Sequence, residues 1–466
     1  MTALAVPAFQ PTRGRTAHRV PWLILVAAGY FAVQLLFVIP RLGHALGWDE
    51  TVYVSQVDPR HPAAYFSAPR SRGTSLLVAP VVAFTGSVTA LRVALALFSS
   101  TGLWAAFRIW EPLPGRRATA LAALLFAGLW VTLANGTQAM PNLWVALSAV
   151  AAAGWFLRAP VERRARGWLA GCLAAATLFR FSDGLWLALP LLATAALVRR
   201  RRPMLPWIVG GLAAGAAEWI VEAYVRFGGV SARLQQSSVN EGGLGLHLNL
   251  ANAWRSLDGP QLCRPCHAHL VHPELTLWWL ALPLLAATAL AAAARRGRIE
   301  PAAVPIACAA ATAFPYLFLI TYSAPRFLLP AYALLSLPLA ELACQAVRTS
   351  RTPALAGGLL ATAVALHLTG QGLVLQRATT QTAKTATLYQ TVGHDLSGLG
   401  IRPPCVVAGT FALAPAYDAG CSSPQTRTRI PAGLLTRRSS PRPHYAHSWT
   451  PHRLAGTTWS VFLPRR

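Results

Sequence analysis

Apolar runs of about 20 residues alternate with short arginine-bearing stretches along most of this chain. A helix of ~20 apolar residues covers a bilayer's hydrocarbon core. The runs at 21–40, 91–110, 117–134, 141–157, 167–180, 184–198, 205–226, 274–294, 301–321, 326–346 and 353–374 are therefore predicted spans, about eleven in all. Between them fall the clusters Arg108/Arg116/Arg117, Arg158/Arg163/Arg164/Arg166, Arg199 to Arg202, Arg295/Arg296/Arg298 and Arg348/Arg351. The positive-inside rule places all of these in the cytoplasm. The fold class that follows is an all-α polytopic membrane protein, N-terminus inside and C-terminus outside.

Two stretches test this parity. Thr74 to Val88 is apolar enough to span, yet a crossing there would move every later arginine cluster outside, so it is expected to lie at or dip into the outer face. Gly167 to Val198 has arginines on both flanks and must be a short hairpin turning at Phe179-Arg180-Phe181-Ser182-Asp183. Residues 1–20 form the cytoplasmic N-terminus, and 21–374 the membrane domain, with outer loops at 41–73 and 227–273. The first run has no small-residue cleavage site after it and reads as a signal anchor. Residues 375–466 form a small extracytoplasmic α/β region: Pro403-Pro404 is a breaker before the strand-like Cys405-Val406-Val407-Ala408, and the Pro-, Ser-, Thr- and Arg-rich sequence from Ser422 on is expected to be irregular.

Composition agrees with the membrane class and removes one rival. Of 466 residues, 54% are hydrophobic and 12% charged, where soluble domains carry about 25% charged. The net charge of +26 would suit nucleic acid, but the arginines sit between spans, so no nucleic-acid partner is expected. Lys384 is the single lysine. This arginine-for-lysine usage, with abundant alanine, suits a GC-rich bacterial genome and hence a multi-pass protein of the bacterial plasma membrane.

The strongest chemical signal is Gly47-Trp48-Asp49-Glu50-Thr51-Val52-Tyr53, just past the first span. A carboxylate at the outer surface can take the proton of an incoming hydroxyl, and the aromatics Trp48 and Tyr53 would line its pocket. The bland alternative is a solvated loop. Arg70, Arg72, Arg180 and Arg326, all on the predicted outer side, are candidates for binding a phosphate through the planar guanidinium fork; lipid headgroup contact is their ordinary reading. Tyr322 stands beside Arg326. Glu218 and Glu222 share a helix face, with Arg226 as a structural partner for Glu222.

The order of these segments resembles the GT-C membrane glycosyltransferases, which include the protein O-mannosyltransferases and the aminoarabinose transferases of lipid A. The segments that carry it are Trp48-Asp49-Glu50-Thr51-Val52-Tyr53, Ala68-Pro69-Arg70-Ser71-Arg72-Gly73, Gln138-Ala139-Met140-Pro141-Asn142, Arg180-Phe181-Ser182-Asp183 and Ala324-Pro325-Arg326-Phe327-Leu328-Leu329-Pro330-Ala331-Tyr332. The resemblance implies a mannosyltransferase-like enzyme moving a sugar from a polyprenyl phosphate to a glycan, lipid or protein acceptor, with inversion, at an extracytoplasmic site. It implies Asp49 as general base, Glu50 as its orienting neighbour, and no required cofactor or bound metal, with room for a divalent cation on Asp49/Glu50. The lysine-rich donor sites of some relatives have no counterpart here. A polytopic transporter or lipid flippase is the alternative, and a non-catalytic assembly factor a third reading.

Cysteines add one further cluster. Cys263-Arg264-Pro265-Cys266, followed by His267, His269 and His272, admits a local disulfide, a zinc site or thiol exchange; an oxidising outer loop favours the first. Cys405 and Cys421 bracket the strand-like stretch and are expected to pair.

Overall fold

The computed structural model describes residues 20–264, 269–409, 411–423, 431–437, 440–441, 443–454 and 456–465. Every predicted span appears as helix: Trp22–Val33, Val88–Arg108, Arg116–Ala127 continued by Trp130–Asn135, Asn142–Arg158, Arg164–Phe179, Phe181–Leu197, Leu205–Arg226, Trp278–Arg295, Glu300–Phe318, Leu329–Thr349 and Pro353–Gly398. In hydrocarbon each backbone N–H must find a partner within its own segment, which helices provide.

Among the described residues, seven helical segments are long and apolar enough to cross a membrane, fewer than the eleven expected. The difference lies in the predicted spans from 117 to 198. Helices of 16 or 17 residues are about 25 Å long, short of a ~30 Å core. Asn142–Arg158 compensates by being enclosed: nearly every residue in it is buried. The Gly73–Phe84 helix has 12 residues, about 18 Å, too short to cross, as the arginine parity requires.

The two ends of the bundle carry different chemistry. Helix Val88–Arg108 brings Arg92 to Glu50 at one end, and Asn142–Arg158 begins at that same end beside Ala139, whose N–H donates to Glu50. At its far end Arg158 donates to the Ile109 carbonyl and to Glu162. Nearby, Arg201 pairs with Glu300 at 2.5 Å and Arg298 caps the Leu113 carbonyl. The arginine clusters thus collect opposite the Asp49 end.

Helix Pro353–Gly398, of 46 residues, runs unbroken across the expected boundary at 374/375. No proline interrupts it before Pro403. Its outer third supplies Tyr389, Val392 and Leu396 to the core of the C-terminal region. There β1 (Val407–Ala408), β2 (Gly433–Arg437), β3 (Thr450–Arg453) and β4 (Trp459–Leu463) form one sheet in the order β1-β2-β4-β3. β1 runs parallel to β2, and the other pairs are antiparallel. The expected irregular tail is corrected here: Leu434, Leu435, Val461 and Phe462 bury enough apolar surface to fix three strands despite the proline- and arginine-rich surroundings. Cys405 and Cys421 are joined in a disulfide. Cys266 and His267 lie outside the described residues, and the pairing expected for Cys263 lies there with them.

Among the described residues, Glu50 and Arg92 form the most enclosed ion pair at the Asp49 end, with side chains 4% and 2% exposed. Arg92 donates to both Glu50 oxygens at 3.3 Å. Glu50 also accepts from the Gly47 N–H (2.9 Å) and the Ala139 N–H (3.0 Å), capping the Trp48–Val54 helix. Removing one member of a buried pair strands the other charge, at a cost of about 3–5 kcal/mol. Arg92→Ala is expected to lower the melting temperature in detergent sharply, and Glu50→Gln with Arg92→Met to recover most of it; a single variant as stable as the wild type would contradict this assignment.

Candidate functional site

Gly47 ends an extended segment and opens the Trp48–Val54 helix, setting Asp49 in its first turn. Because Glu50 follows directly, the two carboxylates point apart on the helix surface: Glu50 turns into the bundle towards Arg92, and Asp49 turns to a cavity. Arg70 Nη2 donates to Asp49 Oδ1 at 2.6 Å, and Arg326 Nη2 donates to Asp49 Oδ2 at 2.8 Å. One carboxylate therefore joins the loop after the first long helix to the loop before Leu329–Thr349, 277 residues further on.

The surrounding elements fix these arginines. Arg70 lies over the Trp48 and Tyr53 rings, 5.6 and 5.0 Å from their centroids. Arg326 also donates to the Gln261 carbonyl (2.8 Å), and its Nε is buried without a partner. Arg180 occupies the break between Arg164–Phe179 and Phe181–Leu197, where the sequence placed a turn. Gly73 packs against that turn so closely that a Cβ would sit 2.6 Å from the Leu178 carbonyl oxygen. Ser71 Oγ accepts from the Phe181 N–H at 3.2 Å. The first outer loop is thus seated on the hinge that carries Arg180.

The cavity encloses about 540 Å³ and is lined by Trp48, Asp49, Tyr53, Arg70, Arg180 and Arg326, together with residues the sequence reading left unassigned. Those are Asn142, Asn240, Glu241, Arg264, Tyr389 and Phe411. Tyr322 lines it too, donating its hydroxyl to the Glu241 carboxylate. Arg264 donates to the Asn240 carbonyl (2.9 Å) and lies over the Tyr322 ring. Arg180 packs over the rings of Tyr316 and Phe327, with Asp183 Oδ1 3.7 Å from its Nε. Tyr389 and Phe411 bring the C-terminal region into the wall, a contribution with no local signal because neither stands in a polar cluster.

Two expected site residues stand elsewhere. Glu50 is committed to Arg92 and backbone amides, as described above. Arg72 is not in the cavity wall: it donates to Glu222 (2.5 Å) and Gln56 (2.9 Å) and lies over the Phe66 ring. Glu222 also binds Arg226 at 2.9 Å and the fully buried Arg233 at 2.9 Å. Arg70 and Arg72 lie on a turn, not a strand, and Arg72 already has helical backbone angles as the cap of Gly73–Phe84, so the two side chains leave in different directions, one to the cavity and one to this acidic cluster.

Four arginines against two carboxylates, Asp49 and Glu241, leave the described lining two positive charges in excess. Burial alone would raise the Asp49 carboxyl, but Arg70 and Arg326, with Arg180 beyond them, outweigh it and hold Asp49 below the ordinary carboxylate range. Its side chain keeps 27% exposure to the cavity.

No family model matches the sequence, and no curated protein sequence does. Solved structures do match. ArnT from Cupriavidus metallidurans bound to undecaprenyl phosphate superposes with a TM-score of 0.58 at 14% identity, over 95% of this chain and 97% of that one. The apo state of the same protein gives 0.63 at 13% identity, with the same coverage. This chain shares the fold of ArnT. The Archaeoglobus fulgidus oligosaccharyltransferase, tethered to an acceptor peptide, gives 0.53 at 14% identity over 87% of this chain and 64% of that one. That shared fold agrees with the helical bundle and its small C-terminal sheet.

A depressed carboxyl contributes stability above its unfolded value, about 3.9, and loses it as pH falls through the lower folded value. The stability difference between wild type and Asp49→Asn is therefore expected to stay constant from about pH 5 to pH 8 and to shrink only in stronger acid. Thermal melts across that range check it; a difference that vanishes between pH 5 and 6 would contradict the pairing.

Proposed function

We propose that this protein is a glycosyltransferase of the bacterial plasma membrane, moving a sugar from a polyprenyl-phosphate donor to an acceptor hydroxyl on the extracytoplasmic side, with inversion. The observation that carries this reading is the Asp49 carboxylate bridged by Arg70 and Arg326 in a cavity with two surplus positive charges. A phosphate monoester carries about −1.5 to −2 at neutral pH, so the surplus suits a leaving monophosphate. The GT-C fold and the undecaprenyl phosphate in the ArnT structure support a lipid-phosphate donor.

Between two guanidiniums Asp49 is a weak base. Phosphate oxygens compete for the same N–H groups. When the donor phosphate takes Arg326, Asp49 loses a neutralising partner and its proton affinity rises towards the ordinary carboxylate value. The acceptor hydroxyl then passes its proton to Asp49 while its oxygen bonds to the anomeric carbon. On the opposite face the bond from that carbon to the phosphate oxygen breaks, and its electron pair stays on the phosphate. Arg180, Arg264 and Arg326 hold the growing charge at fixed positions, which lowers the barrier. Trp48 and Tyr53 form apolar walls for the sugar, and Tyr389 and Phe411 line the approach from the C-terminal region, where acceptor selection is placed.

A divalent ion is the other means of neutralising such a phosphate, and the oligosaccharyltransferase has been solved with Zn and sulfate. The residues here do not fit one at Asp49. Both of its oxygens are taken by arginine, and among the described residues no group of three His, Cys, Asp or Glu side chains gathers to hold a metal. No step is routed through a metal.

Transfer of label from radiolabelled polyprenyl-phosphate sugars, mannose first, to endogenous acceptors in membranes tests the reading. Asp49→Asn is expected to lower transfer at least about 100-fold with expression unchanged. Arg180→Gln is expected to raise the donor KM about tenfold, the loss of one charge-assisted contact. Equal transfer by wild type and Asp49→Asn would remove Asp49 from the mechanism, and no transfer from any donor would overturn the function.

A further inference from the structure

Among the described residues, one side chain of the cavity wall is fully buried with both of its polar atoms unpartnered, and neither the ion pairs nor the proposed chemistry uses it. Asn142 opens the 17-residue helix Asn142–Arg158, with Pro141 before it, and is 0% exposed. It lines the cavity beside Met140, Pro141 and Phe179. Both its amide atoms, Nδ2 and Oδ1, are buried without a hydrogen-bond partner. Other fully buried amides at this end of the bundle have at least one partner: Asn249 donates to the Tyr316 and Tyr322 carbonyls at 3.0 and 2.8 Å, Gln371 accepts from the Trp130 N–H at 3.1 Å, and Asn135 donates to the Val131 carbonyl at 2.8 Å although its Oδ1 has no partner. In the cavity wall the half-buried Asn240 also has its Nδ2 without a partner. Native structures rarely leave a buried amide with neither donor nor acceptor satisfied, and such a group points to a missing partner.

The chemistry of that partner follows from the amide. A neutral side chain presenting one acceptor and two donors from a single plane matches a pair of neighbouring hydroxyls, one giving its proton to Oδ1 and the other accepting from Nδ2. It does not match the phosphate, for which the cavity supplies four guanidiniums. Nor does it match the polyprenyl chain, which has no hydrogen-bonding group. Resting on the glycosyltransferase reading above, we propose that Asn142 is the contact that grips the hydroxyls of the transferred sugar, holding its anomeric carbon between Asp49 and the arginine-bound phosphate. Recognition of the donor is thereby divided: the arginines bind phosphate whatever sugar it carries, and Asn142 adds affinity only when hydroxyls are present in the right pair.

The test separates these two parts. The full protein in lipid nanodiscs is titrated with bare polyprenyl phosphate and with mannosyl, glucosyl, galactosyl and arabinosyl polyprenyl phosphates, for wild type, Asn142→Ala and Asn142→Leu. At least one glycosylated probe is expected to bind wild type about tenfold tighter than the bare phosphate, the worth of a well-made pair of hydrogen bonds. Asn142→Ala is expected to erase that gain while leaving affinity for bare polyprenyl phosphate within about twofold. Asn142→Leu, which replaces an unsatisfied amide by an apolar group of similar size, is expected to melt no lower than wild type and to lose the same gain. A gain that survives in both variants, or no gain for any sugar in wild type, overturns the proposal. A marked drop in the melting temperature of Asn142→Leu also overturns it, because the amide would then be structural. Failure of wild type to bind bare polyprenyl phosphate is a different result, and it counts against the glycosyltransferase reading itself.

Discussion

A carboxylate shared between two guanidiniums organises one end of this helical bundle. Asp49 stands in the first turn of a seven-residue helix, Arg70 on the loop after it, and Arg326 on a 3₁₀ turn far along the chain. Each pair alone would be a modest contact. In a partly dry cavity, where charges are poorly screened, the three hold each other at hydrogen-bond distance and draw the first outer loop, the 227–273 loop and the last-but-one long helix together. The Gln261 carbonyl on Arg326 ties in the middle loop, and Gln261 itself donates to Thr382 on the Pro353–Gly398 helix at 2.9 Å. Arg377 on that helix donates to Asp258 at 2.8 Å.

The same constraint makes the resting carboxylate a poor base. A group fully neutralised by arginine is ionised at neutral pH but has little appetite for a proton. Under the proposed function, its reactivity depends on an incoming anion competing for the arginines. Binding and activation are in that reading one event: the phosphate that occupies the arginines is the phosphate whose ester bond breaks. Glu50 and Arg92 serve a different end. Their enclosed pair fixes the helix on which Asp49 rides, and four hydrogen bonds leave Glu50 no capacity for substrate.

Much of this was legible in the sequence. Apolar run length and arginine placement gave each long apolar helix, the short Gly73–Phe84 helix and the break at Arg180, because burial in hydrocarbon admits few alternatives; the Trp48–Val54, Val230–Asn240, Leu250–Ser256 and Leu413–Asp418 helices had no such signal. The enclosure of the Asn142–Arg158 helix was not legible, since a short helix that is walled in by protein looks like a short span. The strands after Ser422 were hidden by proline and arginine that flank only five-residue apolar stretches. At the site, the sequence marked Asp49, Arg70, Arg180 and Arg326, yet it weighted Arg72 equally with Arg70. Only the pairing with Glu222, 150 residues away, separates them. Arg92, Arg233 and Glu241 gave no signal: each sits singly in an ordinary helix or at its end, and its meaning comes from partners brought by the fold. Tyr389 was missed for the same reason, lying on what read as the start of a separate tail.

A cryo-EM structure of the protein in nanodiscs with bound polyprenyl phosphate would show whether Asp49 exchanges its arginine partners. The phosphate is expected within hydrogen-bond distance of Arg326 and Arg180, with the Asp49 carboxylate released from Arg326 and open to the cavity. A phosphate bound elsewhere, with both Asp49 pairs intact, would contradict it.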